Sequence, residues 1–186
     1  MIPSQNDLRI LFEEKPGEYI DLYRDEIYDF ITPDEDDDSG EFDEIPDIKD
    51  FDAEELFEIL FTIPVTTDDD YCELINILAD EYLPYDVDAD YEDGGLTVVY
   101  IDDDRYVMDR GDSEYDIIRK FNEIIKPEYE TRVLKMSLTE DNVHSLLILQ
   151  SSEWKELEAK YGEEVAEFFE EIDKIEFIQD NTFDNE

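Results

Sequence analysis

Residues 96 to 108 read LTVVYIDDDRYVM: a β-branched and aromatic run, three aspartates, and a second apolar run. Val, Ile, Thr and Tyr suit a pleated backbone, and short polar residues such as Asp suit the tight connection between paired strands. The stretch predicts an antiparallel hairpin. Together with the weak alternation from Tyr85 to Asp90 before it, the expectation is a hairpin or a three-stranded meander. A second hairpin is expected from Arg132 to Leu138, with Leu134, Met136 and Leu138 on one face, joined to Val143 to Gln150.

The period changes on either side of these strands. Residues 19 to 31 carry Ile20, Tyr23, Ile27 and Phe30 at near-helical spacing and stop before Pro33. Asp52 followed by Glu55 has the form of a capping box, opening a helix with Leu56, Ile59, Leu60 and Ile63 on one face and Pro64 at its end. Tyr71, Leu74, Ile75, Leu78 and Tyr82 make the stripe of a further helix closed by Pro84. Ser113 is placed to cap a helix whose Ile117, Ile118, Phe121, Ile124 and Ile125 face inward before Pro127. Ser151 or Ser152 opens a helix bearing Trp154, Leu157 and Tyr161, with Gly162 in the stop position. A last helix is expected to carry Val165, Phe168, Phe169 and Ile172. The order implies an α+β fold: an antiparallel sheet of about five strands, as two hairpins or a meander, packed against helices, with a helical N-terminal part and two C-terminal helices. The expected organisation is an acidic helix and acidic loop over 1–50, a main α+β domain over 51–180, and a frayed tail over 181–186.

Charge sets the functional problem. The 186 residues include 58 Asp or Glu against 14 Lys or Arg, a formal net charge of −44. A surface of that sign repels nucleic acid, anionic membrane and acidic substrates at range. The hydrophobic fraction of 41%, with 13% aromatic, is nevertheless far above what keeps chains disordered, so the chain is expected to fold. A folded chain of this mass should expose roughly 9,000 Å², or about 200 Å² per net charge. Duplex DNA, at one charge per about 1.7 Å of axis, carries about twice that density. Solubility needs a net charge of only about 2 to 8, so the excess calls for a use.

Several chemistries are disfavoured by what is scarce. One cysteine, Cys72, allows no intramolecular disulfide, and one histidine, His144, leaves the usual Cys/His zinc sites without ligands. The opening residues lack a basic segment followed by an apolar run, and no apolar stretch approaches the roughly 18 to 20 residues of a membrane span. A cytoplasmic location, bacterial or host-cell, is the expectation, with no cofactor.

Acids are unevenly spread: residues 33 to 58 hold 14 with one base, 86 to 116 hold 12 with two, and 117 to 150 hold five with five. Asp34, Asp36, Asp37, Asp38, Glu41, Asp43 and Glu44 form the densest run, in a segment with two prolines and a glycine that reads as a loop. Its plain role is a solvated acidic loop; its sharper one is an arm that enters a basic groove. Asp102, Asp103 and Asp104 are ordinary turn residues, yet three carboxylates at a hairpin tip suit a cationic pocket. Near the C-terminus Glu156, Glu163, Glu164, Glu167, Glu170 and Glu171 recur at spacings that keep them on neighbouring helical rows. Side chains one turn apart lie about 5–6 Å from one another, comparable with neighbouring phosphates, so an otherwise ordinary solvated face becomes a candidate phosphate-like ridge.

Asp86, Asp88 and Asp90 match the first three positions of a calcium loop, but Tyr91 and Thr97 stand where Gly and Glu are needed. Asp34, Asp36 and Asp38 fail likewise, at Ser39 and Ile45. The acid-x-Lys element of metal-dependent nucleases occurs at Asp47 to Lys49, Glu153 to Lys155 and Glu158 to Lys160, as chance supplies in so acidic a chain. Cys72 and His144 fall beside apolar stripes, where structural roles are expected, and no phosphate loop or nucleophile elbow is present.

The expectation is a non-enzymatic inhibitor that occupies the basic groove of a nucleic-acid-binding protein or nuclease, without itself touching nucleic acid or membrane; a homodimer is left open. In charge and size alone the chain resembles the broad class of DNA-mimic proteins, many of them phage or mobile-element products, which implies an anti-defence role such as anti-restriction or anti-CRISPR activity. The alternative is an immunity protein or antitoxin that neutralises a basic nuclease toxin. An acidic chaperone for a cationic client shares the electrostatics. General halophilic acidity fits poorly with 20 Ile and 5 Ala.

Overall fold

A computed structural model describes residues 1–32, 46–66, 70–92, 96–102, 104–108, 116–139 and 143–175. The chain divides into two compact units, Met1–Ile63 and Pro64–Glu186. The helix opened by Asp52 belongs to the N-terminal unit. The tail over 181–186, the Ser113 cap and the acidic loop from Asp34 to Glu44 lie outside the described residues.

The N-terminal unit is helical: α1 (Gln5–Phe12), α2 (Pro16–Leu22), α3 (Arg24–Ile31) and α4 (Ala53–Phe61). Ser4 opens α1 through a capping box with Asp7, whose carboxylate accepts from the Ser4 amide at 2.7 Å, the Ser4 hydroxyl at 2.6 Å and the Tyr23 hydroxyl at 2.9 Å. Burial first, and then that bond to Asp7, pushes the Tyr23 phenol up to about 12. The capping box expected at Asp52 and Glu55 forms with both arms in place. Tyr19, Ile27, Leu56, Phe57 and Phe61 make the core, with Tyr23 edge-on to Phe61 at 5.5 Å. The single helix expected over 19 to 31 is broken at Tyr23, whose backbone leaves the helical region at φ −127°, ψ 29°. The break turns the apolar stripe, so Tyr19 and Ile27 are buried while Phe30 is left 65% exposed.

Helix α1 ends with Glu14 at φ 50°, its amide bonding the Leu11 carbonyl while the Lys15 amide bonds that of Ile10. This is the helix-ending arrangement in which glycine is favoured, because a Cβ in the left-handed region is strained. Glu14→Gly should therefore stabilise the unit by about 1 kcal/mol, read as a rise in the urea midpoint; an unchanged or lower midpoint would count against the strain.

The described strands lie in the C-terminal unit, the first of them beginning at Ile63, the last residue of the N-terminal one. The meander of the C-terminal unit is β2 (Val87–Glu92), β3 (Leu96–Ile101) and β4 (Asp104–Met108), antiparallel throughout, as expected. A second sheet has the order β1-β6-β5-β7, from β1 (Ile63–Thr66), β5 (Tyr129–Leu134), β6 (Val143–Gln150) and β7 (Phe169–Glu171). Helices α5 (Tyr71–Tyr82), α6 (Asp116–Ile125) and α7 (Ser151–Phe168) bury the expected stripes, with Leu78, Ile118, Phe121 and Trp154 inaccessible. The fold is α+β, with its strands in two sheets rather than one of about five.

Three further differences have local causes. The second hairpin starts at Tyr129 and its first strand stops at Leu134, because the Ser137 hydroxyl donates to the Leu134 carbonyl at 2.6 Å and accepts the Ser145 amide at 2.9 Å. That bonding holds residues 135–139 in a 3-10 turn. The two expected C-terminal helices are present but joined: the break between them is a kink at Tyr161 (φ −135°, ψ 43°), one residue before Gly162, and the second runs on to Phe168. Phe169 to Glu171 then leaves the helical pattern to pair with Leu134 to Arg132 of β5, a tertiary contact that overrides helical periodicity.

The outer edge of β2 is closed by a side chain. Asn76 of α5 accepts from the Ala89 amide at 2.7 Å and donates to the Ala89 carbonyl at 3.1 Å, doing the work of a neighbouring strand. Asn76→Ala would leave both backbone groups of a residue only 5% exposed without partners. The expected loss is about 2 kcal/mol, measurable by chemical denaturation; a loss below a quarter of that would mean that water replaces the amide.

Candidate protein-interaction surface

Asp34, Asp36, Asp37, Asp38, Glu41, Asp43, Glu44 and Asp103 lie outside the described residues. Asp102 and Asp104 stand at the turn between β3 and β4, both exposed, with Asp104 opposite Ile101 in the register. Asp102 adopts φ 52°, a left-handed conformation that Asp tolerates better than most residues, and its amide reaches the Asp86 carbonyl at 3.4 Å. Asp86, Asp102 and Asp104 therefore gather at one end of the meander.

The C-terminal ridge is shorter than the sequence suggests. Glu156 precedes the kink at Tyr161, so it does not share a continuous helical row with Glu163, Glu164 and Glu167. Glu170 and Glu171 are not on the helix; they lie in β7 and meet cations, Glu170 with Lys135 at 3.3 Å and Glu171 with Lys174 at 2.6 Å. What remains is Glu167 with the adjacent Glu163 and Glu164 one turn before it, and none of the ion pairs between described residues uses them or Glu156.

Two further acidic arrays come from register and helical spacing. Asp88 and Asp90 are both exposed and two residues apart on β2, which puts them on one face about 7 Å from each other. That face also carries exposed Leu96 and Val107 and the only described ion pair of the meander. There Glu92 takes the Arg105 guanidinium at 2.5 Å and the Tyr100 hydroxyl at 2.8 Å, bonds that hold its carboxyl below its ordinary value. In the sequence Asp88 and Asp90 enter only a calcium-loop match that fails at Tyr91 and Thr97; strand alternation is the signal that pairs them on one face. In the N-terminal unit, Asp25, Glu26 and Asp29 are exposed on α3 together with Tyr28 and Phe30. Their i, i+4 and i, i+3 spacing places like charges one turn apart, an unfavourable arrangement unless something cationic meets it.

Eight of the 14 bases are held in ion pairs between described residues. Arg132 is buried, donating to Glu130 at 2.8 Å and to Glu158 at 2.6 Å, with its guanidinium 4.3 Å from the Trp154 ring. Lys126 pairs with Asp173 at 2.7 Å, and Arg9 with Glu13 at 2.6 Å and Glu18 at 2.5 Å. With 14 bases for 58 acids, single pairing of every base would still leave 44 carboxylates over.

Catalytic arrangements are not assembled by the described residues. Cys72 is buried on α5, its thiol against the Tyr91 hydroxyl and pushed up by burial. His144 instead stands with Nδ1 3.4 Å from the Ser137 carbonyl oxygen, and burial lowers its titration. The acids of the acid-x-Lys elements have local structural partners: Asp47 accepts the Lys49 amide, Glu153 the Gln150 amide, and Glu158 pairs with Arg132. No group of three or more metal-ligating side chains converges among the described residues, and none of their helices is long and apolar enough to cross a membrane.

No family model, no curated protein and no solved structure matches this chain.

Proposed function

We propose that the protein is a non-enzymatic inhibitor that presents carboxylates in place of phosphates to the basic groove of a nucleic-acid-binding protein or nuclease, acting in the cytoplasm as an anti-defence product. The observation that carries this reading is the surplus of acids that the scaffold does not use. Arg132, Lys126, Lys135 and Lys174 are held in internal pairs, while Asp88, Asp90, Asp102, Asp104, Glu163, Glu164 and Glu167 stand outside every described ion pair. Like charges one helical turn apart, or two residues apart on a strand face, cost stability in the free protein. A cationic partner turns that cost into affinity and speeds encounter by long-range attraction. Exposed Tyr28, Phe30, Leu96 and Val107 beside the acids supply the short-range contacts that charge lacks.

The test is capture followed by competition. The protein is immobilised at low ionic strength, bound proteins are identified, and elution is attempted with salt and with duplex DNA. The reading expects basic nucleic-acid-binding proteins that DNA displaces and salt releases. Neutral or acidic partners that resist both would overturn it.

A further inference from the structure

Of the four outer edges of the two sheets, three carry a device that prevents further pairing. Asn76 occupies the β2 edge, β1 is four residues long and contains Pro64, and β7 has only three residues. Strand β4 has none of these. The direction of its backbone groups follows from Asn76. In an antiparallel ladder a residue points its N–H and C=O to one side, and the next residue points them to the other. Ala89 spends both groups on Asn76, away from β3. Val99, opposite Ala89, therefore turns its groups toward Tyr106 of β4, and Tyr106 turns its own back to β3. Arg105 and Val107 are left with N–H and C=O facing outward. No described residue hydrogen-bonds to them there, and Val107 is 50% exposed.

An open edge is a template for another strand. We infer that the outer edge of β4 receives an extended, Lys/Arg-bearing segment of the basic partner, which adds to the meander as a fourth strand. The inference rests on the cationic-partner reading and gives it a mode of contact. Charge selects the occupant: a second copy would bring another −44 to the same edge, whereas a cationic segment meets Asp104 on β4 and Asp102 at the turn. The field that guards the edge against self-pairing thus recruits the cationic strand. One face of the added strand meets Val107, giving an apolar side chain a place to pack.

A short peptide of alternating lysine and valine serves as the probe, beside an equally charged version with alternate amides N-methylated. Binding to the full chain is followed at low salt by amide hydrogen exchange. The expected result is slowed exchange at Arg105 and Val107 with the first peptide only, and about thirtyfold weaker binding of the methylated one. Val107→Pro removes an outward N–H and no ladder bond, so the fold should persist while that preference disappears. Equal binding of both peptides without protection of β4 would overturn the strand-addition mode and leave the cationic-partner reading standing. Binding of neither would overturn both. Pairing of two copies through β4, seen as a dimer that Val107→Pro dissolves, would replace the proposed occupant.

Discussion

Trp154→Ala lowers the stability of the C-terminal unit by about 4 kcal/mol. The indole is fully buried, stands 5.2 Å from the Phe169 ring, and donates from Nε1 to the Glu130 carbonyl at 2.9 Å. It also forms one wall around the Arg132 guanidinium, a cation that burial would penalise without its partners. Truncation creates a cavity, removes a second hydrogen bond from a ladder carbonyl and exposes the flank of a buried ion pair. Each change acts in the same direction. Trp154→Phe keeps a ring against Phe169 and forfeits the hydrogen bond, so it should cost about 1–2 kcal/mol. Urea unfolding followed by far-ultraviolet circular dichroism distinguishes the two. Equal and small losses would mean that the junction of β5, β7 and α7 is not tightly packed.

Trp154 also illustrates what could be read in advance. Its inward position follows from helical spacing with Leu157, as those of Leu56, Leu78 and Phe121 follow in their helices, because an apolar stripe is a local property of the chain. The meander was legible for a similar reason: alternation and the aspartate turn are contained within residues 85 to 108. What escaped depends on residues remote in sequence. Phe169 to Glu171 looks helical until Leu134 offers a ladder, and the break at Tyr23 is set by packing around Asp7 and Phe61. The acidic ridge shared that fate. Spacing alone joined Glu156 to Glu171, whereas the kink at Tyr161 and the move into β7 divide them. Charge survives as a reading of composition, but its geometry had to come from tertiary structure. For Asp88 and Asp90 the register adds their surroundings on the shared face, the Glu92–Arg105 pair and exposed Leu96 and Val107.

The same surplus fixes how the protein responds to salt and pH. Forty-four net charges repel one another more in the compact state than in the expanded one, so screening favours folding. Between low and about 0.5 M salt, where the screening length falls from near 30 Å toward a few ångströms, stability should rise by several kcal/mol, which at about 2–4 °C each is a gain of about 10 °C in Tm. Mild acid should act in the same direction, since protonation drains the charge toward zero near the sequence isoelectric point of about 4.1. Two effects oppose it. His144 is lowered by burial, so the folded state binds fewer protons than the unfolded one, and that contribution is lost as pH falls below the ordinary 6.5. Hydrogen bonds from Lys15 and Arg9 hold Glu13 below 4.5, the Arg9 bond does the same for Glu18, and bonds from Arg105 and Tyr100 do it for Glu92. Their support is full above 4.5 and fades as pH drops through the lowered values. One histidine and a few exposed pairs are outweighed by the collective repulsion until the carboxylate range is reached. Tm should therefore change little from pH 8 to 6.5, rise to a maximum as the first carboxylates take up protons above 4.5, then fall. A Tm that is flat in salt and highest at pH 8 would mean that the carboxylates are neutralised within the fold, leaving no unspent charge with which to attract a basic partner.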